Sequence, residues 1–328
     1  MWILTDYMLD LALNILLAIV GFAILIKCAD FFVDGAVAFA RNLKIPVAVI
    51  GLTVVSFGTS APELAISFNS HLSNNADMMF GNVIGSNIAN VFIILGVAVL
   101  IIPFNIQNDI IKKEIPILLL TTLGFAVLFL DDLFVSPGLN SLTRADGVLL
   151  ILFFSIFIYY LITLLSGNPD KNAIEEKPKH KMVTSVVLII LGLAGVIFGS
   201  KLVVDNVAAF AYGIGISQKI IAVTVVSIGT SLPELVTTVV AAKKGEIHMA
   251  LGNIVGSNIF NICIVLGLPV IVFGELSTSA FNAVDIVFMI SSVLLLWIFS
   301  ATGKRLKRYE AIIFIAVYCG YCAYIFMQ

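Results

Sequence analysis

The chain has 328 residues, 60% of them apolar and only 12% charged, with a formal net charge of −2 and a mean hydropathy of +1.12. A soluble domain carries about twice that share of charge, so the composition excludes a soluble enzyme, and the lack of a basic tract argues against a nucleic-acid partner. What remains is an all-α membrane protein whose surroundings are the lipid bilayer.

The first residues, MWILTDYMLDLALNILL, carry no Lys or Arg ahead of their apolar run, so they read as a retained span and not as a cleaved signal. Breaking the apolar runs at charges, Gly, Pro and Asn predicts ten spans. In chain order they cover about 11–40, 45–70, 77–102, 115–131, 146–166, 182–212, 216–242, 248–273, 281–301 and 309–327. The first and sixth are longer than a bilayer requires and are expected to tilt.

Loop charge sets the orientation. One set of loops holds Arg41 and Lys44, Lys112 and Lys113, Lys171 to Lys181, Lys243 and Lys244, and Lys304 to Arg308. The opposite set, with both termini, holds only Arg144 and Lys219. Both termini are therefore expected outside, and the polar stretch 167–181 is expected to be a cytoplasmic linker between a first half, 1–166, and a second, 182–328. The linker is too short for a regulatory domain. Cys28, Cys263, Cys319 and Cys322 all lie in apolar segments and read as small packing residues, the C-x-x-C at 319–322 included. His71, His180 and His248 read as loop residues without a role.

The two halves repeat each other. TVVSFGTSAPELAI at 53–66 returns as TVVSIGTSLPELVT at 224–237, and Glu63 and Glu234 stand 171 positions apart. The same offset relates Asp34 to Asp205, Gly81 to Gly252, Ser86 to Ser257, Asn90 to Asn261 and Gly96 to Gly267. A constant offset over two spans and their loop marks an ungapped duplication. Five spans per half is an odd number, which turns the second copy upside down: two inverted-topology repeats of five, with the motifs at about 45–100 and 216–271. That is the plan of secondary transporters, whose sites lie near the midplane where the repeats meet.

Each motif plants a carboxylate at membrane depth, which is expensive unless a cation or polar partner compensates it. Pro62 has no N–H and disfavours the bond to the carbonyl of Gly58, so a kink with loosened carbonyls is expected beside Thr59, Ser60 and Glu63. Thr230, Ser231 and Glu234 repeat the arrangement around Pro233. Carboxylate, hydroxyl and carbonyl oxygens are hard ligands suited to Na⁺ or Ca²⁺, and the motifs contain no His or Cys for Zn or Cu. The next spans open with GNVIGSNIAN at 81–90 and GNIVGSNIFN at 252–261, where Ser86 and Asn90, like Ser257 and Asn261, share one helical face. Plainer readings stand beside these: the glycines pack helices, hydroxyls bond back to their own helix, the glutamates pair with Lys27 or Lys201, and Asp34 and Asp205 are solvated or capping.

GTSAPEL and GTSLPEL, each followed by G-N-x-x-G-S-N, resemble the two alpha repeats of the sodium/calcium exchanger family, within the cation/calcium antiporters. The resemblance covers roughly 34–100 and 205–271, and the ten-span layout fits the rest. It implies an antiporter, not an enzyme, exchanging Na⁺ for Ca²⁺ by alternating access. It needs no cofactor and no obligate protein partner, and it sits in the plasma membrane of a prokaryote. On the matching positions it implies Glu63 and Glu234 as central ligands, oxygens from Thr59, Ser60, Thr230 and Ser231, and further oxygens from Ser86, Asn90, Ser257 and Asn261. It also implies backbone carbonyls at Ser56 and Ser227. Proton/calcium relatives carry a different motif where this chain has GTSxPE, which favours sodium as the driving ion, with an H⁺-driven antiporter of the same fold as the alternative. An intramembrane enzyme and a passive channel are remoter readings. Some microbial members and the potassium-dependent branch have an acidic residue where this chain has Asn261, so no K⁺ requirement is expected.

Overall fold

The computed structural model of the protein describes residues 2–131, 140–166, 177–216 and 227–327. Thr224, Lys171, Lys219 and the beginning of the expected seventh span lie outside the described residues. The described chain is helical with four short strands. In order the helices are α1 (Trp2–Leu43), α2 (Val47–Thr59), α3 (Ala61–Leu72), α4 (Ala76–Ile101), α5 (Ile115–Phe129), α6 (Arg144–Ser166), α7 (Met182–Gly213), α8 (Ser227–Thr230), α9 (Leu232–Lys243), α10 (Ile247–Phe273), α11 (Ala283–Ala301) and α12 (Arg308–Met327). Seven of these are long and apolar enough to cross a membrane, and α2 with α3, bent by 44°, passes as an eighth. The chain is an integral membrane protein.

The helices begin where the local chemistry predicts. The backbone amides of Thr143, Asn282 and Lys307 donate to the carboxylates of Asp146, Asp285 and Glu310 three residues on, at 2.8, 2.9 and 2.7 Å. These capping-box bonds satisfy groups that a helix start leaves open. The bend between α2 and α3 falls at Ser60, one residue before the turn that holds Pro62, as the missing N–H requires.

Four departures from the α-helix were not foreseen among the described residues. Wider π-helical turns occupy Gly51–Val55 in α2, Asn90–Leu95 in α4, Ile110–Glu114 directly before α5 and Asn261–Leu266 in α10. Two of them start on the duplicated asparagines, and such turns are enriched at functional sites.

The layers follow from burial. α10 and α4 form the centre, 89% and 72% buried over their apolar windows, whereas α1 and α7 are 17% and 22% buried. α1 and α7 cross each other closely: a Cβ on Gly192 would stand 2.7 Å from the backbone nitrogen of Phe32. Gly256 of α10 similarly leaves room for Ser56 of α2, whose Oγ would be 2.6 Å from an added Cβ. The packing role of that glycine is what its small-residue spacing predicts.

The strands tie the halves together at their rims. β1 (Phe104–Asn105) pairs antiparallel with β4 (Arg305–Leu306), in the register Phe104 to Leu306. β2 (Asn140–Leu142) pairs with β3 (Leu276–Thr278), in the register Ser141 to Ser277. Each pairing joins the connection before the fourth expected span of one half to the connection before the fifth of the other.

Near the end of α1, charges close on one another. Lys244 places its Nζ 2.7 Å from both Asp30 and Asp34, Lys179 lies 2.8 Å from Asp34, and Arg41 lies 3.1 Å from Glu246. They line a polar cavity of about 440 Å³. Asp34 is thus an ion-pair partner and not a solvated or capping group, while its counterpart Asp205 is exposed. The histidines also depart from expectation: His71 lies in α3, 8% exposed, and His248 in the first turn of α10.

Candidate functional site

Ser60-Ala61-Pro62-Glu63 and Ser231-Leu232-Pro233-Glu234 have the S-x-x-E form of a helix capping box. Neither serine caps its helix. Ser60 Oγ instead donates to Glu234 Oε1 at 3.0 Å, across the two halves, and Ser231 Oγ reaches Ser86 Oγ at 3.4 Å. The breaks therefore free two hydroxyls and set both glutamates in the first turns of α3 and α9, where the helix dipole favours a negative charge. Glu63 and Glu234 are each 1% exposed and near enough to repel one another. Lys27 and Lys201 are exposed and make no ion pair with either glutamate, so that alternative fails.

The duplicated spans supply the remaining walls. The π-turn at Asn90–Leu95 packs on α9, and its counterpart at Asn261–Leu266 packs on α3, so each half sets its asparagine against the other half's glutamate helix. Thr59 Oγ1 lies 3.2 Å from Asn253 Oδ1 and 3.4 Å from the Ser56 carbonyl, and Ser257 Oγ lies 3.5 Å from that same carbonyl. Asn90 Nδ2 donates to Asn258 Oδ1 at 2.8 Å. Of the expected site residues, Ser56, Thr59, Ser60, Glu63, Ser86, Asn90, Ser231, Glu234, Ser257 and Asn261 are buried and converge here. Thr230 ends α8 beside them, and Ser227 begins that helix.

Four asparagines were overlooked. Asn253 accepts from Thr59 and donates to Thr238 Oγ1 at 3.0 Å, and Asn82 donates to the Glu63 carbonyl at 3.2 Å. Asn258 takes the bond from Asn90 and donates to the Asn87 carbonyl at 3.3 Å. Asn82 with Asn253 and Asn87 with Asn258 obey the 171 offset and stand inside the quoted motif. The offset alone would have found them.

Several buried polar atoms here have no partner: Oε2 of Glu63 and of Glu234, Oδ1 of Asn90, and both side-chain heteroatoms of Asn87 and Asn261. A buried group left unpaired costs about 1–3 kcal/mol. Carboxylate and amide oxygens without donors, drawn together from both halves, form an oxygen-lined cage able to take a hard cation.

Comparisons with known proteins agree with this chemistry. The family described as "Sodium/calcium exchanger protein" matches residues 13–163 and 184–327. The "Putative antiporter CaxA" of Alkalimonas amylolytica is 37% identical over 315 residues, covering 92% of this chain and 95% of the relative. The "Sodium/calcium exchanger MaX1" of Methanosarcina acetivorans is 32% identical over 350 residues, covering 96% and 99%. A solved structure of the sodium-calcium exchanger NCX_Mj, soaked with 10 mM Na⁺ and zero Ca²⁺, matches with a TM-score of 0.82 at 32% identity, covering 95% of this chain and 99% of that one. With a family match over both halves and relatives aligned nearly end to end, the chain belongs to the sodium/calcium exchanger protein family.

Proposed function

We propose that the protein is a secondary antiporter that exchanges Na⁺ for Ca²⁺ by alternating access, without a requirement for K⁺. The observation that carries this reading is the pair of buried carboxylates, Glu63 and Glu234, one from each half, facing a common set of oxygens. Two carboxylates balance one Ca²⁺. The same oxygens attract Na⁺, and occupancy by one ion excludes the other, so the two compete for one cage. Thr59, Ser60, Thr230, Ser231, Ser86, Asn90, Ser257 and Asn261 would complete it, with the Ser56 and Ser227 carbonyls. Asn at both 90 and 261 leaves two carboxylates and not three, which lowers the attraction for an added monovalent ion.

Strand pairing supports the inverted arrangement of ten spans. In each half the connection before the fourth span and the connection before the fifth lie on opposite faces of the membrane. β1 joins β4 and β2 joins β3, so each pairing brings a first-kind connection of one half beside a second-kind connection of the other. Two copies inserted the same way up could not make either pairing; two copies of opposite orientation make both. With the loop cations taken as cytoplasmic, both termini face outside and the protein belongs in a prokaryotic plasma membrane.

The test is Ca²⁺ uptake into proteoliposomes driven by an imposed Na⁺ gradient, with and without K⁺. Uptake that follows the Na⁺ gradient and is indifferent to K⁺ is expected. Uptake driven by a pH gradient and deaf to Na⁺ would transfer the protein to the H⁺-driven class, and strict dependence on K⁺ would refute the two-carboxylate argument.

A further inference from the structure

The helix α3 carries more unpaired polarity than the cage requires. Beyond Glu63, the side chains of Ser67, Ser70 and His71 follow at intervals of four, seven and eight residues, which places all four on one helical face. They are 0%, 2% and 8% exposed, and Ser67 Oγ, Ser70 Oγ and His71 Nδ1 have no hydrogen-bond partner.

Helical hydroxyls in this protein ordinarily satisfy themselves. Thr53, Thr121, Thr122 and Ser155 each donate to the carbonyl four residues back, at 2.6, 2.9, 2.8 and 3.0 Å. Ser67 and Ser70 do not take that bond, although nothing in a regular helix denies it to them. A row of buried hydroxyls that decline their local acceptor is unfavourable in the state seen here. It is made good in a state that brings water or a cation to the row.

One side chain closes the end of the row. Phe273, at the last position of α10, lies tilted by 37° against His71 with ring centres 5.3 Å apart and meets Phe68 edge-on at 5.7 Å. Phe273 is itself 38% exposed, and Gly274 follows it at φ +114°, a left-handed conformation that glycine adopts freely. The second half has no such row. Past Glu234 it leaves Thr237 Oγ1 unpaired, Thr238 is bonded by Asn253, and Ala241 and Ala242 stand where Ser70 and His71 stand in the first half.

We propose that the face of α3 bearing Glu63, Ser67, Ser70 and His71 is the wall of a cation pathway, shut in this conformation, that opens when Phe273 moves aside. It leads to the membrane face that carries the exposed 73–75 turn, and α9 offers no equivalent on the opposite face. The proposal rests on Glu63 being a cation ligand, but access along the row can be measured without any exchange activity.

The experiment places one cysteine in a chain whose four native cysteines are alanine and adds Ag⁺, a thiol-reactive cation, to one side of sealed vesicles in chloride-free buffer. Unreacted thiols are then counted with a maleimide after unfolding. Asn74→Cys and Lys243→Cys report the two faces. Ser70→Cys is expected to react about tenfold faster from the Asn74 face than from the Lys243 face, a ratio equivalent to ~1.4 kcal/mol. Ser67→Cys should follow the same sidedness more slowly, and adding Phe273→Ala should speed both. Ala241→Cys should stay unreactive from the Lys243 face. Ser70→Cys and Ser67→Cys inert while Asn74→Cys reacts, or equal rates from both faces, would overturn the pathway. Ser67→Cys decides the matter alone if Ser70→Cys does not elute as a folded species. Sided labelling in a chain that fails to couple Na⁺ to Ca²⁺ would keep the pathway and remove the proposed exchange.

Discussion

Ser60 and Ser231 hold the same place in the two motifs, yet Ser60 bonds the opposite glutamate at 3.0 Å while Ser231 reaches only another serine at 3.4 Å. Asn258 accepts from Asn90 and donates onward, whereas both ends of its counterpart Asn87 are unpaired. Asn90 is bonded; its counterpart Asn261 is not. Each glutamate keeps one unpaired oxygen, but Asn87 and Asn261 make no side-chain bond where their counterparts Asn258 and Asn90 do. A duplicated sequence therefore folds into an unequal pair of half-sites. Inequality of this kind is what the proposed alternating access requires of any one conformation, since the two faces could not then be open together.

The largest expected effect tests whether that inequality reaches the carboxylates themselves. If charge compensation governs the cage, Glu63→Gln and Glu234→Gln should each abolish Na⁺-driven Ca²⁺ uptake by about 100-fold or more, because breaking a buried charge set costs roughly 3–5 kcal/mol. Hydrogen bonding differs between the two glutamates, but their charge does not. Retained uptake in either variant would separate the half-sites in function and refute the two-carboxylate cage. Melting in Ca²⁺ gives a second readout: a ligand at 100 times its Kd stabilises by about 2.7 kcal/mol, and that increment should vanish in both variants.

Composition, loop charge and the 171 offset made the membrane class, the duplicated motifs and ten of the converging site residues legible before any coordinates. The π-turns were not legible, because an i to i+5 bond leaves no residue signature in an apolar run such as NVFIIL at 90–95. The wiring was hidden for another reason. S-x-x-E reads as a helix cap, and only the approach of α9 shows that Ser60 has a better acceptor in the opposite half. His71 read as a loop residue, and Ser67 and Ser70 carried no signal, since a lone hydroxyl in a span normally bonds its own backbone. Asp34 looked solvated because its partners Lys179 and Lys244 are 145 and 210 positions away.

Asparagines sharpen the comparison at the next scale. Asn258→Ala removes the acceptor of Asn90 and the donor to the Asn87 carbonyl, so it should lower stability by about 1–3 kcal/mol in the ion-free protein. Asn87→Ala removes no side-chain bond and should cost clearly less than Asn258→Ala in the same melting experiment. Equal losses would mean that the two positions are wired alike in solution.

Tyrosines on the flanks give a control in which the halves agree. Tyr160 donates to Glu114 at 3.0 Å and Tyr321 to Asp285 at 3.2 Å, one pair in each half. Glu114 has a second oxygen already unpaired, while Asp285 keeps the Asn282 amide. Tyr160→Phe should therefore destabilise by about 1–2 kcal/mol, and Tyr321→Phe by less, as read from thermal unfolding.

The smallest effect belongs to the ion pairs at the end of α1. They link α1 to the segment before α7 and to the turn between α9 and α10, whereas the exposed Asp205 has no ion-pair partner among the described residues. Solvent screening leaves such pairs a small contribution, so Asp34→Asn should barely change the melting temperature. Asp34 raises the pKa of Lys179 above its ordinary 10.5, chiefly through their hydrogen bond. A group whose pKa is raised on folding contributes fully below its unfolded value and loses that contribution as pH rises through the folded one. The difference between wild type and Asp34→Asn should thus be flat from neutrality up to about pH 10 and shrink above it. If the ion pairs hold this face shut, Asp34→Asn should also raise Ag⁺ access to Thr238→Cys from the Lys243 side without altering access to Ser70→Cys from the other. A change at Ser70→Cys instead would mean that the two faces of the protein are not closed independently.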